Sequence, residues 1–266
     1  MKLTLLCDNN TIIDQYYLGE PGFSCYLEID DARILLDTGY SDVFLRNAET
    51  ADIDLSLLTH VVLSHGHDDH TAGLVPLTER CDLSGTQLVC HPRCLLPRWY
   101  GELYIGPPKD AIPHFGSYRP SAEPVWLTEH CVFLGEIPAI QDFEPRYSIG
   151  TVAVEGKREP DFLLDDSALA CKTPKGLFII TGCSHSGICN IVSYAQAVCG
   201  EERIAGILGG FHLLESNERV EKTAAFLKRV NPAALYPCHC VSLAAKIVLA
   251  RTLDIQEVGS GTVIEA

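Results

Sequence analysis

The run His65-Gly66-His67-Asp68-Asp69-His70 packs three imidazoles and two carboxylates into six residues, between two stretches of regular pattern. Before it, Thr59-His60-Val61-Val62-Leu63-Ser64 has the β-branched and apolar content of a buried strand. After it, Thr71-Ala72-Gly73-Leu74 can open a helix. The order predicts that all five polar side chains emerge at the end of one strand. His65 and His67 are two apart, so in extended backbone their rings share a side and can bind one ion. The chain then turns, and Asp69 and His70 can face a second ion close by. Imidazole and carboxylate are ligands that suit zinc, iron or manganese.

Composition allows an ordinary globular protein. Of 266 residues, 47% are apolar, ample for the core of one large domain or two small ones. The apolar start Leu3-Thr4-Leu5-Leu6-Cys7 stops at Asp8-Asn9-Asn10, short of a secretory leader, and no later run is long enough to cross a bilayer. The expectation is a soluble cytoplasmic protein with no membrane partner. Twelve cysteines fit that compartment, since Cys25, Cys90, Cys131, Cys171 and Cys199 fall inside apolar segments as small core residues. No CxxC pair occurs, which removes zinc ribbons and thioredoxin-type sites. In Cys238-His239-Cys240, thiols flank a candidate ligand, and the reading is that both line a pocket. A net charge of −15 opposes nucleic-acid binding, which needs Lys and Arg to displace counterions. A local site for a small anion stays open.

Short strands are predicted at Leu3 to Cys7, Phe23 to Ile29 and Arg33 to Leu36, the last ending in Leu36-Asp37-Thr38-Gly39. A helix is predicted at Ser41 to Ala48 and a strand at Gln87 to Cys90. From His91 to Pro160 periodicity weakens and prolines accumulate, so this segment reads as an irregular insertion serving as a lid, a homodimer contact, or both. Strands then alternate with helices: Ala168 to Lys172, Leu177 to Thr181, Ile204 to Leu208 and Ala233 to Tyr236, against Ile188 to Val198, Glu218 to Val230 and Leu243 to Ala250. The whole, 1–266, reads as a single α/β domain of two mixed sheets with helices outside. His185, His212 and His239 each follow one of these strands, and strand ends of one sheet edge gather in space.

These motifs together carry a resemblance. HxHxDH, preceded by LDTG and followed by TGCSHSG, GGFHL and a late strand ending in histidine, resembles the metallo-β-lactamase superfamily. Leu164-Asp165-Asp166-Ser167-Ala168-Leu169 and Gly135-Glu136-Ile137-Pro138 are similar to the branch labelled dihydropterin ribofuranosylaminobenzene-phosphate synthase-like. The resemblance implies an αββα four-layer sandwich and one or two divalent ions, zinc before iron or manganese. It implies that His65, His67 and His185 hold the first ion, and that Asp69, His70 and His239 hold the second. Asp37 would brace the histidine loop. Many members place a bridging aspartate after the strand that here ends in Gly209-Gly210; this chain has none, so His212 would be a ligand or a substrate contact. Pro21 stands where the branch usually has histidine, a change at the pocket rim.

The implied chemistry is hydrolysis of a small anionic substrate, a phosphate ester or related ester, by a metal-bound hydroxide. Asp69 would orient that hydroxide and His212 would stabilise or protonate the leaving oxygen. The alternatives are a transferase of the synthase type and a non-hydrolytic di-iron or ligand-binding protein.

Overall fold

The computed structural model describes residues 1–109 and 112–266. Two large sheets face each other. The first has seven strands in the spatial order Val263–Glu265, Lys2–Cys7, Ser24–Ile29, Ala32–Leu36, His60–Val62, Gln87–Cys90 and Ser117–Pro120. The second has six, in the order Leu235–Pro237, Ile204–Gly209, Gly176–Thr181, Ala168–Thr173, Cys131–Phe133 and Val125–Trp126. Both are mixed: hairpin-linked strands run antiparallel, and His60–Val62 or Ile204–Gly209 join parallel neighbours.

Both faces of each sheet are covered, so the strands read as near-continuous apolar runs whose alternate residues serve different layers. In Gly176–Thr181, Phe178 and Ile180 join the core between the sheets, with Ile34, Leu36 and Leu169. Leu177 and Ile179 point the other way, onto helices Ile188–Cys199, Glu218–Val230 and Leu243–Ala250. Leu35 and Leu88 likewise meet Phe44, Leu45, Leu74 and Leu77 of helices Val43–Thr50 and Leu74–Arg80. The layer order is helix, sheet, sheet, helix, as the resemblance implied. No helix among the described residues is long and apolar enough to cross a membrane.

The segment 91–160 departs from its sequence reading. Among its described residues it holds seven short strands set between irregular stretches; residues 110 and 111 lie outside the described residues. Ser117–Pro120 extends the first sheet, and Val125–Trp126 with Cys131–Phe133 extends the second. Arg98–Tyr100, Leu103–Tyr104, Thr151–Val154 and Lys157–Pro160 form a third, four-stranded sheet that the expected pair of sheets did not include. Strands this short carry no readable alternation, and they are specified by the strands they pair with.

Arg98 anchors the third sheet to the histidine loop. Its buried guanidinium donates through Nη1 and Nη2 to both oxygens of Asp165, at 3.0 Å each, and through Nε to Asp161 Oδ2 at 2.9 Å. Asp165 Oδ2 also accepts from the Gly66 backbone N–H at 2.9 Å. Only glycine fits at position 66, because a methyl group there would overlap the Arg98 guanidinium and the Cys94 carbonyl.

Candidate metal centre

The site is built where parallel strands end. Ala32–Leu36 delivers Asp37, His60–Val62 delivers Ser64, His65 and His67, and Gly176–Thr181 delivers Cys183 and His185. Ile204–Gly209 and Leu235–Pro237 deliver His212 and His239. A single helical turn, Asp68–Thr71, carries Asp69 and His70, and the helix that the sequence opens at Thr71 to Leu74 follows as Leu74–Arg80. Backbone geometry aims several of these residues. Asp37, Ser184, His212 and His239 all have left-handed φ, at 58°, 59°, 47° and 50°. Such angles cost non-glycine residues roughly 1–3 kcal/mol each and persist only where the surroundings impose them.

Two groups of ligand-type atoms result. His65, His67 and His185 form one; His65 Nε2 lies 3.2 Å from His67 Nδ1, and the His185 ring stands 4.8 Å from that of His65, centroid to centroid. Asp69, His70, Cys183 and His239 form the other. There His70 Nε2 lies 3.2 Å from His239 Nε2 and 3.2 Å from Cys183 Sγ, and Asp69 Oδ2 is 3.6 and 3.5 Å from the two imidazole nitrogens. The His65 and His70 rings are 4.2 Å apart, so the groups adjoin.

The residues fit metal ions. Two nitrogens bound at 2.0–2.1 Å to one tetrahedral ion sit roughly 3.3 Å apart, close to both imidazole pairs here. Neither ring nitrogen of His185, a buried side chain, has a hydrogen-bond partner. Burial, reinforced by neighbouring imidazoles, holds His65 and His185 well below the ordinary histidine pKa, and burial brings His67 down to about 4. Neutral rings are the form that binds metal.

Supporting contacts fix the rings of His70 and His239. Asp37 accepts from Ser64 N at 2.7 Å, from Ser64 Oγ at 2.6 Å and from His70 Nδ1 at 2.7 Å. Gly182 lets the second sheet approach this carboxylate, since a methyl group would meet Ser64 Oγ and Asp37 Oδ2. His239 is held by Asp8, which accepts from its N–H at 2.7 Å, and by Asn9 Oδ1, 2.9 Å from Nδ1. Burial would raise the Asp69 pKa, but the charges of His70 and His239 outweigh it and keep the carboxyl below its usual range.

His212 stands outside both groups. Its ring lies 4.4 Å from that of His185, and its Nδ1 is 2.5 Å from the Tyr147 hydroxyl. Tyr147 carries no signal in the sequence because nothing around it is patterned. Nothing in TGCSHSG singles out Cys183, since a cysteine facing a site and a core cysteine look alike in sequence. Of the two thiols flanking His239, Cys238 is buried in the core between the sheets, and only Cys240 reaches the cleft.

The cleft has two joined parts. One, of about 410 Å³, is lined by His67, Asp69, His185, His212, His239 and Cys183 among others. The other, of about 500 Å³, runs over Tyr40, Tyr100, Leu103, Ile105 and Ile149, and both parts share Pro21. The segment 91–160 thus walls the histidine loop, and Ile105 O accepts from Asp68 N at 2.9 Å.

Comparison with known proteins agrees with this architecture. The sequence profile of the metallo-β-lactamase superfamily matches residues 18–86. The crystal structure of Tm1679, a metal-dependent hydrolase of the β-lactamase superfamily, superposes with a TM-score of 0.85 at 31% identity, covering 100% of this chain and 99% of that one. The chain belongs to the metallo-β-lactamase superfamily. It is also similar to two proteins of Methanocaldococcus jannaschii. One is an uncharacterized protein, 29% identical over 246 residues, 91% of each chain. The other is 7,8-dihydropterin-6-methyl-4-(β-D-ribofuranosyl)-aminobenzene-5′-phosphate synthase, 27% identical over 286 residues, with 100% of this chain and 96% of that protein covered.

Proposed function

We infer that the protein is a metal-dependent hydrolase of a small phosphodiester or related ester. The observation that carries this reading is the opening of two adjoining ligand groups into one cleft. Two divalent ions held by His65, His67 and His185, and by Asp69, His70 and His239, would polarise an ester oxygen and lower the pKa of water to roughly 7. Asp69 stays ionised and would orient the attacking water by accepting a hydrogen bond from it.

His212 faces the leaving oxygen. Burial, with help from Arg219, brings its pKa down to about 4, so the ring is neutral at pH 7. A Tyr147 hydroxyl that donates to Nδ1 would place the ring proton on Nε2, where it is offered as a hydrogen bond. No Lys or Arg is among the described residues lining the cleft, which favours a substrate of low charge whose apolar arm rests on Tyr40, Tyr100 and Leu103.

The test is an assay of metal-loaded protein against bis-nitrophenyl phosphate and a lactone across pH. Turnover that needs metal and disappears in Asp69→Ala supports the reading; no turnover of either substrate overturns it. A second reading, group transfer, is favoured by the full-length similarity to the synthase. Release of pyrophosphate from a dihydropterin pyrophosphate in the presence of a ribosyl-aminobenzene phosphate, without simple hydrolysis, would establish it.

A further inference from the structure

We propose that the substrate is a carboxylic ester bound in one direction: an apolar arm on its acyl side rests on the third sheet, and its leaving alcohol lies at the His212 end. The inference rests on the hydrolase reading above and adds a substrate class and an orientation to it. The two parts of the cleft meet at Pro21, His67, Asp69 and Ile149, which line both. The seam therefore carries a candidate ligand from each metal group. Among the described residues, His212, Leu214, Val241 and Ser242 line one part alone, and Tyr40, Tyr100, Leu103 and Ile105 line the other alone. An ester whose reacting carbon sits at the seam has its two ends in different parts. With its leaving oxygen toward His212, its acyl end enters the part that holds the tyrosines.

That part suits an apolar, uncharged group. Tyr100 and Leu103 are paired residues of the hairpin Arg98–Tyr100 and Leu103–Tyr104, on either side of the turn Gly101-Glu102. Both are 66% exposed and Tyr40 is 55% exposed; large side chains left uncovered together along a groove mark a binding surface, whereas scattered ones do not. The hairpin is held from behind. Trp99 stands edge-on to Tyr104 at 5.5 Å and lies under the Arg158 guanidinium at 3.9 Å, and Arg98 is fixed by Asp161 and Asp165. Tyr40 is fixed through its N–H, which donates to Glu20 Oε1 at 3.0 Å. A preset wall loses little freedom when it is covered, so more of the apolar contact appears as affinity. The acidic groups lining this part are Asp68 and Asp69, with no Lys or Arg among the described residues, so an anionic arm is repelled.

Two series of esters read the orientation on zinc-loaded protein. Nitrophenyl acetate, butyrate, hexanoate and octanoate lengthen the acyl arm; ethyl, butyl, hexyl and octyl acetates, followed by acid release, lengthen the alcohol. From acetate to hexanoate, kcat/KM should rise about two- to fourfold per methylene, as burial of each methylene from water predicts, and the alcohol series should vary less than about twofold overall. Leu103→Ser and Tyr100→Ser should flatten the acyl gradient at wild-type zinc content. Calorimetry of the product acids, butyrate to octanoate, should show the same gradient in Kd and the same flattening in both variants, with no turnover involved. A flat acyl series, or a gradient along the alcohols instead, would overturn the proposal while leaving hydrolysis in place. If no ester is turned over, the hydrolase reading falls and the orientation falls with it.

Discussion

Asp37 holds the ring of His70 by Nδ1, at 2.7 Å, and so turns Nε2 of that ring toward Cys183 and His239. The same carboxylate accepts from the Ser64 backbone N–H and hydroxyl, tying the end of one strand to the helical turn that carries His70. Asp37→Ala should lower affinity for the second ion by roughly 10–100-fold, the usual cost of losing a ligand's supporting carboxylate. Competition against a chromophoric chelator measures this, and an affinity within twofold of wild type would refute the role.

Arg98 and Asp165 form a fully buried bidentate pair beside Gly66. Arg98→Met strands the carboxylate in the interior and should cost about 3–5 kcal/mol of stability by urea denaturation. Adding Asp165→Asn to that variant should recover part of the loss, because the uncompensated charge is gone. A loss under about 1 kcal/mol in the single variant would show that the pair is not what fixes the loop.

The metal-free protein should be most stable near neutral pH. Burial puts His67 at about 4, below the ordinary 6.5, so between those values the unfolded chain binds a proton that the folded one refuses. Stability therefore falls as pH drops from 6.5 toward 4. His70 acts in the opposite sense: burial disfavours its charge, but Asp69 and Asp37 outweigh burial and raise it to about 9. The stability it contributes is complete below 6.5 and is lost as pH rises through 9, at about 1.4 kcal/mol per pH unit for each group. Denaturation midpoints of chelator-treated protein from pH 4 to 9 should trace a maximum, which zinc should flatten; a monotonic profile would contradict it.

Tyr147→Phe removes the hydroxyl that fixes His212 and leaves both ligand groups untouched. Metal content should stay at the wild-type level while kcat falls about tenfold or more. Equal kcat would show that the His212 tautomer does not matter to turnover.

The sequence made the histidine loop, Asp37 and the three later strand-end histidines legible because each stands beside a pattern: an apolar strand, a tight turn, a glycine pair. Two mixed sheets with helices outside followed from the pattern of strands and helices, and the αββα layering from the family resemblance. What escaped was specified by pairing and enclosure, not by local pattern. Val125–Trp126 and Leu103–Tyr104 are two residues long, too short for periodicity, and become strands only by pairing. Arg98 reads as one more surface cation until Asp161 and Asp165 enclose it. Cys183 is one of twelve cysteines, most of them buried, and only the convergence of His70 and His239 on its sulfur distinguishes it.

His70 and His239 are 169 residues apart, and they belong to opposite sheets. An ion gripped by both is a clasp across the sandwich, and the grip does not exist until each sheet has formed and the two have docked. Metal capture there would come at the end of folding, after the slow, long-range contacts are made. A nascent chain with only its first half synthesised offers the HxHxDH loop alone, a weak and exchangeable ligand set. A tightly loaded chain is one whose two halves have already found each other.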